Sequence, residues 1–268
     1  MKLAAVTNEV APLTEAGTLD TILRTAVDHG ITIFEARTVE GKRFPLLTGQ
    51  AWEVLKGAQQ KYGITYSAAS AGNFIGVQIG SDLIDLHKGA LWTMSMDMAE
   101  KLSINTLITF APQRSATADK TEFDQVVELL GEVVDSAAAR GIDVQLENLP
   151  GTWADTSDGC LALLEAVDRK TFGYVWDTGN LYEAEKQTFE EGFEKLKPYI
   201  RNVHLKDGQF IDGKMTWQHY GTGKTNVKGQ IEALKSIGYD GTLALEAARI
   251  PHVAGDFEAS LGYLRTIL

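Results

Sequence analysis

The chain has 268 residues, 44% hydrophobic and 23% charged, which is long for one simple core and short for two full domains. Its formal charge of −11 repels nucleic-acid phosphates and anionic lipid and argues against both as partners; a small substrate stays open, because a metal ion or local Lys and Arg reverse the field inside a cleft. The single Cys160 forms no internal disulfide, the start Met1–Glu9 has too short an apolar run for a signal peptide, and no stretch approaches the ~20 uncharged apolar residues of a membrane span, so the expectation is a cytoplasmic protein.

Eight short apolar runs follow one another along the chain: Leu3–Thr7, Thr32–Ala36, Thr65–Ala69, Thr106–Phe110, Asp143–Glu147, Gly173–Asp177, Asn202–Leu205 and Thr242–Glu246. Most are continuous rather than alternating, as strands are when helices cover one face and a packed interior the other. Between them lie amphipathic segments with helix boundary signals. Thr18-Leu19-Asp20 opens one that Gly30 closes, and Asp119–Glu122 opens another that ends near Arg140-Gly141. Lys228–Ile237 stops at Gly238, and Asp256-Phe257-Glu258 begins a last helix that runs to the C-terminus.

Strict strand-then-helix order predicts parallel pairing throughout. With the first strand ending near residue 8 and the last near 246, the seven intervals average 34 residues, the length of one βα unit. Eight such units close a (β/α)8 barrel of about 250 residues. An open doubly wound sheet would show a Gly-rich turn after the first strand, where this chain has Thr7-Asn8-Glu9-Val10-Ala11-Pro12. No linker, low-complexity tract or charge block marks a second domain, so one barrel is expected over residues 1–268.

Active sites of such barrels lie at the C-terminal ends of the strands. Strand five ends in Glu147, strand six in Asp177, strand seven carries His204 and strand eight ends in Glu246. One acidic residue at one strand tip usually caps the following helix. Four metal-competent side chains on four consecutive strands are a different matter, because three carboxylates converging on one rim repel unless a cation sits among them. Three carboxylates and one imidazole without thiolate favour a single hard divalent ion, Mn2+ first, with Mg2+, Co2+ or Zn2+ as alternatives. Such an ion leaves about −1 on the three carboxylates, so open coordination positions can take neutral substrate oxygens.

The segments Leu146-Glu147-Asn148-Leu149-Pro150-Gly151-Thr152, Trp176-Asp177-Thr178-Gly179-Asn180, Val203-His204-Leu205-Lys206-Asp207 and Gly238–Glu246 resemble the xylose-isomerase-like superfamily, more narrowly its sugar phosphate isomerase/epimerase branch. The resemblance implies that Glu147 and Glu246 serve both as metal ligands and as an acid/base pair. A metal-stabilised enediolate that is reprotonated on its other face gives epimerisation; a proton returned to the neighbouring carbon gives isomerisation. The expected substrate is a small carbohydrate or polyol-derived ketone. Two other readings stand beside this one: a dehydratase of the inosose or 3-dehydroshikimate type, which would expel a β-hydroxyl from the same enolate, and a non-catalytic sugar-binding barrel. Many relatives carry a histidine where this chain has Asn180, which weighs against the histidine-rich DNA-repair endonucleases of the superfamily.

Further candidates for substrate contact are Lys206, on the same strand face as His204; His219, in the loop after strand seven; Asn180; Glu35, at the end of strand two where relatives also carry an acid; and Trp153. Each has a plainer alternative: an ion pair with Asp207 for Lys206, a loop histidine for His219, a barrel-rim hydrogen bond for Glu35 and lid packing for Trp153 and its neighbour on the same face, Trp217. Gly223-Lys224-Thr225 looks like the end of a phosphate-binding loop, but Gln218 stands where the required glycine would be. Met94, Met96 and Met98 read as core filling. Oligomeric state is unreadable from the sequence, although a homo-oligomer suits an acidic barrel of this size.

Overall fold

The computed structural model describes residues 1–10, 19–39, 41–247 and 256–268. Eight parallel strands form a closed barrel: β1 Lys2–Val6, β2 Ile33–Ala36, β3 Thr65–Ser70, β4 Thr106–Phe110, β5 Asp143–Glu147, β6 Phe172–Asp177, β7 Ile200–Leu205 and β8 Thr242–Leu245. β1 pairs with β8 (Ala4 opposite Ala244) and with β2 (Val6 opposite Glu35), which closes the ring. Every expected strand is present within two residues of its expected ends. The (β/α)8 reading therefore holds. Among the described residues, no helix is long and apolar enough to cross a membrane.

Helices α1 Leu19–Asp28, α2 Gly49–Tyr62, α3 Trp92–Lys101, α4 Lys120–Ala138, α5 Ser157–Val167, α6 Thr178–Glu185, α7 Glu190–Leu196, α8 Val227–Ser236 and α9 Asp256–Ile267 lie between and after the strands. Their boundaries follow local chemistry. Thr48 accepts from the Ala51 amide to start α2, Asp119 from Glu122 to start α4 and Thr156 from Gly159 to start α5. Gly63, at φ 65°, ends α2 in the left-handed conformation that only glycine adopts freely. Thr18, read as opening α1, lies outside the described residues. Of the three methionines, Met96 is buried and Met98 packs against the core, while Met94 is exposed on α3.

The main core lies between the strands and this helical ring, around residues such as Phe34, Leu107, Leu146, Tyr174 and Trp176. Inside the barrel, small and β-branched side chains form separate clusters: Ala4, Val6 and Ala244 with Ile33, and Ala68, Ile108 and Val175. Above these apolar layers the interior turns polar toward the C-terminal mouth, where the strand tips carry Glu147, Asp177 and His204.

Two antiparallel hairpins rise from the mouth, and the sequence reading contained neither. The short one pairs Thr38–Val39 with Lys42–Arg43 after β2; the longer one pairs Asp207–Ile211 with Lys214–Gln218 after β7. The foot of the longer hairpin is tied down by Asp207. Its carboxylate accepts the amides of Gly208 (2.9 Å), Gly221 (2.8 Å), Gly223 (3.0 Å) and Thr225 (3.2 Å) and the Thr225 hydroxyl (2.8 Å). The segment Gly221–Thr225 is thus an anion-binding nest whose anion is an internal carboxylate, which accounts for its phosphate-loop appearance. A Cβ at Gly223 would lie 2.2 Å from Asp207 Oδ1, so the close approach needs glycine. The Asp207→Ala variant should lose roughly 3 kcal/mol of stability, because several loop donors would be left without an acceptor. Urea denaturation measures this; a loss below about 0.5 kcal/mol would show that water replaces the carboxylate without cost.

Candidate metal centre

Four side chains from four consecutive strands meet at the mouth. Glu147 and Asp177 end β5 and β6, His204 is the penultimate residue of β7, and Glu246 follows directly on β8. One ligand atom from each lies within 4.8 Å of the others, and all four residues are buried. His204 Nδ1 is 3.3 Å from Glu147 Oε1 and 3.7 Å from Glu246 Oε1. Strand alternation delivers them, since each occupies an inward-facing position at a similar height.

A set of inward side chains holds the four in place. His204 Nε2 donates to Glu35 Oε2 at 2.7 Å, which fixes the tautomer and turns Nδ1 toward the cluster. The other Glu35 oxygen accepts Asn202 Nδ2 at 2.6 Å. Since β2 and β7 are separated in the ring by β1 and β8, these contacts cross the barrel interior. Asp177 does two jobs at once: Oδ1 caps α6 by accepting the amides of Gly179 (3.0 Å) and Asn180 (2.8 Å), while Oδ2 faces the cluster and accepts from Lys206 Nζ. One oxygen therefore serves as the helix cap, while the other stays with the cluster, where the cap does not use it. Asn148 ties the tip of β5 to that of β6, donating to the Asp177 carbonyl and accepting the Asp177 amide and the Tyr174 hydroxyl. At β8, the Glu246 amide donates to the Tyr220 hydroxyl at 3.1 Å and to the Leu205 carbonyl at 3.1 Å.

The electrostatics of this cluster are extreme for a protein interior. Five buried carboxylates, from Glu9, Glu35, Glu147, Asp177 and Glu246, face two buried fixed cations, Arg37 and Lys206. Burial alone would lower the His204 pKa, but the Glu35 and Glu147 carboxylates overcome it and push the imidazole up to about 10. Burial likewise opposes ionisation of Glu147, yet His204, Lys206 and Arg37 hold its carboxyl well below the usual carboxylate range. Glu147 Oε2 and His204 Nδ1 are buried without a hydrogen-bond partner, an arrangement that costs free energy unless another group ligates them. Oxygen and imidazole donors at this spacing fit a divalent metal. A divalent ion with a neutral imidazole would bring the whole cluster to about −1.

The remaining sequence candidates are placed as follows. Lys206 is fully buried; its ammonium bridges Asp177 and Glu246 Oε2 (2.5 Å), donates to Asn180 Oδ1 (3.1 Å) and lies 5.8 Å from the Trp217 ring centre. Asp207, the partner in the plainer alternative for Lys206, is taken by the loop amides instead. Asn180 is also buried, and its Nδ2 donates to the Asn148 carbonyl at 2.9 Å, so both ends of its amide serve the scaffold. Glu35 sits beneath the His204 ring with both oxygens engaged, a place in the barrel interior rather than on the wall of an open cleft. Trp153 is engaged elsewhere: its N–H donates to Glu122 at 2.9 Å, and its ring packs on Phe123 and under the Arg114 guanidinium. Those contacts are of the packing kind that the sequence set beside a substrate contact for Trp153. His219 is half-buried beyond the hairpin, where its carbonyl accepts from Thr222. Trp217 packs over the start of α6, where a Cβ at Gly179 would lie 2.4 Å from its ring.

Sequence reasoning did not single out Arg37, Glu9, Asn148 or Tyr220. Arg37 was reachable, standing two residues after Glu35 and just past the end of β2, where the strand's alternation carries it toward the same side.

A family model described as xylose isomerase-like TIM barrel matches residues 23–267. Inosose dehydratase from Geobacillus thermodenitrificans (strain NG80-2) is 28% identical over 155 residues, 52% of this chain and 52% of its own. Ketose 3-epimerase from Arthrobacter globiformis is 29% identical over 141 residues, 52% of this chain and 46% of its own. The chain thus spans about half the length of the curated relatives it matches. The crystal structure of the IOLI protein with a binding zinc atom superposes over 100% of this chain and 96% of that one with a TM-score of 0.78 at 20% identity, a likeness of fold. Eight closed parallel strands and a match over nearly the whole length make this chain a member of the xylose isomerase-like TIM barrel family.

Proposed function

We propose that this protein is a divalent-metal-dependent isomerase or epimerase of a small hydroxylated ketone, with Glu147 and Glu246 as its acid/base pair. The observation that carries this reading is the placement of two glutamates on either flank of Asp177 and His204. They come from β5 and β8, with β6 and β7 between them, and reach the same 4.8 Å neighbourhood. When bound, a divalent ion (Mn2+ by the donor set) supplies the positive charge that stabilises an enolate. One glutamate removes the proton beside the carbonyl, and its counterpart across the cluster delivers a proton to the other face. Lys206, buried between Asp177 and Glu246 beneath Trp217, is suited to donate a hydrogen bond to a substrate oxygen. Trp217 supplies an apolar ring at the same place, a surface on which sugar C–H groups pack well.

A second reading, a dehydratase, has its own support. The Lys206 ammonium, 2.5 Å from Glu246 Oε2, places a second proton donor beside that carboxylate, where protonating a departing β-hydroxyl would need one. The inosose dehydratase relative agrees with it.

Incubating the Mn2+-loaded protein with ketoses and cyclitol ketones in D2O separates the two by NMR. Deuterium entering beside the carbonyl with every hydroxyl retained is the expected result. Water loss with a new conjugated absorbance selects the dehydratase, and no exchange with any of them contradicts both. The Glu246→Gln variant should lower exchange at least about 100-fold with an unchanged circular dichroism spectrum; full activity would remove Glu246 from the chemistry. Metal binding carries its own pH signature. A group whose pKa is raised by folding stabilises the ion-free fold below its unfolded pKa of about 6.5, and that contribution fades as pH rises toward 10. An ion at Nδ1 must displace this proton, so Mn2+ affinity should rise about tenfold per pH unit between pH 7 and 8.5, with about one proton released. Calorimetry in buffers of different ionisation enthalpy measures the release, and a flat affinity without proton release would show that His204 is not a ligand.

A further inference from the structure

We infer that Arg37 is a positioning residue for Glu246, held in turn by the Thr7-Asn8-Glu9 turn at the end of β1, and that this assembly sets the metal affinity of the site. The inference rests on the metal-centre reading above and assigns a purpose to the Thr7-Asn8-Glu9 turn, which the chemistry so far leaves unused. Glu246 stands just past the last residue of β8, so its side chain needs support from outside its own strand. Arg37 provides it. Nη1 donates to Glu246 Oε1, Nη2 to Glu9 Oε1 and Nε to Asn8 Oδ1 at 2.9 Å, so three donors of one planar fork reach three acceptors.

The fork is itself fixed. The Arg37 amide donates to Thr7 Oγ1 (3.1 Å), the Thr38 amide to Asn8 Oδ1 (3.3 Å) and Asn8 Nδ2 to Glu9 Oε1 (2.7 Å). Arg37 is 5% exposed and Glu9 3%, so solvent neither screens nor competes for the bonds from Arg37 to Glu9 and Glu246. On β2, Glu35 orients His204 and Arg37, two residues on, orients Glu246. One strand face therefore aims the ligands of both β7 and β8. With Oε1 of Glu246 taken by Arg37, the carboxylate is locked in one rotation about its own axis, which sets the direction of Oε2.

Two roles for Arg37 make opposite forecasts. If it only offsets negative charge, removing it leaves the cluster more acidic and Mn2+ binds more tightly. If it positions Glu246, removing it weakens binding despite the added negative charge. The test is Mn2+ titration of wild type, Arg37→Met and Arg37→Lys, with free ion read by electron paramagnetic resonance and the metal-free melting transition recorded for each. Positioning predicts a loss of about 10- to 100-fold in Arg37→Met. Arg37→Lys should weaken too, since a single ammonium cannot make the three-acceptor fork. Unchanged or tighter binding in Arg37→Met, beside normal wild-type binding, overturns the inference alone. Absence of Mn2+ binding by wild type removes the metal centre and the inference together. Should Arg37→Met fail to melt cooperatively, Glu9→Gln keeps the arginine and weakens only its anchor. A several-fold loss of Mn2+ affinity there supports the inference, and wild-type affinity overturns it.

Discussion

Like charges held a few ångströms apart in a protein interior must be neutralised, and this constraint organises the barrel mouth. Glu147, Asp177 and Glu246 bring three carboxylates within 4.8 Å of one another and of His204 Nδ1. In water such groups repel weakly; among buried side chains the repulsion is several times larger. Arg37 and Lys206 answer part of it, but Glu9 and Glu35 add as much negative charge as those two cations remove. The arrangement makes sense as a socket for two further positive charges delivered as one ion, with the imidazole neutral.

The architecture around the socket serves the same end. The lower barrel interior is filled with alanine, valine and isoleucine, and the mouth above it is a layer of interlocked polar groups. Glu35 and Asn202 aim the imidazole from beneath, Asn148 ties two strand tips together, and Asp177 is pinned by the helix it caps. Such support turns a cluster of charges into a set of aimed ligand atoms. Lys206 touches two carboxylates of the cluster, Asp177 and Glu246, while lying beneath Trp217.

The strands were legible because most are continuous apolar runs, and the four-residue cluster because its members occupy the same place on four successive strands. Asp177 shows the limit of that logic: helix cap and ligand were framed as exclusive, yet a carboxylate has two oxygens, and capping α6 occupies only one of them. The Arg37–Glu246 and Glu35–His204 contacts join residues 209 and 169 apart in the chain, and no local pattern announces them. The hairpin Asp207–Ile211/Lys214–Gln218 was hidden because polar Lys206-Asp207-Gly208 follows the last strand residue, Leu205, and reads as loop. Trp153 was placed by its position after β5 alone; its indole N–H found Glu122 on α4 and its ring found Arg114, contacts that depend on how α4 packs.

The two reactions proposed above, proton return and loss of water, would begin with the same charge-stabilised enolate, so both proposals depend on a cation at this one place. Diffraction from Mn2+-soaked crystals at the manganese absorption edge tests that most directly. The account predicts one anomalous peak bonded to Glu147, Asp177, His204 Nδ1 and Glu246 at about 2.0–2.3 Å, the range of oxygen and imidazole ligation. A peak elsewhere, or four side chains that ignore the ion, would contradict it.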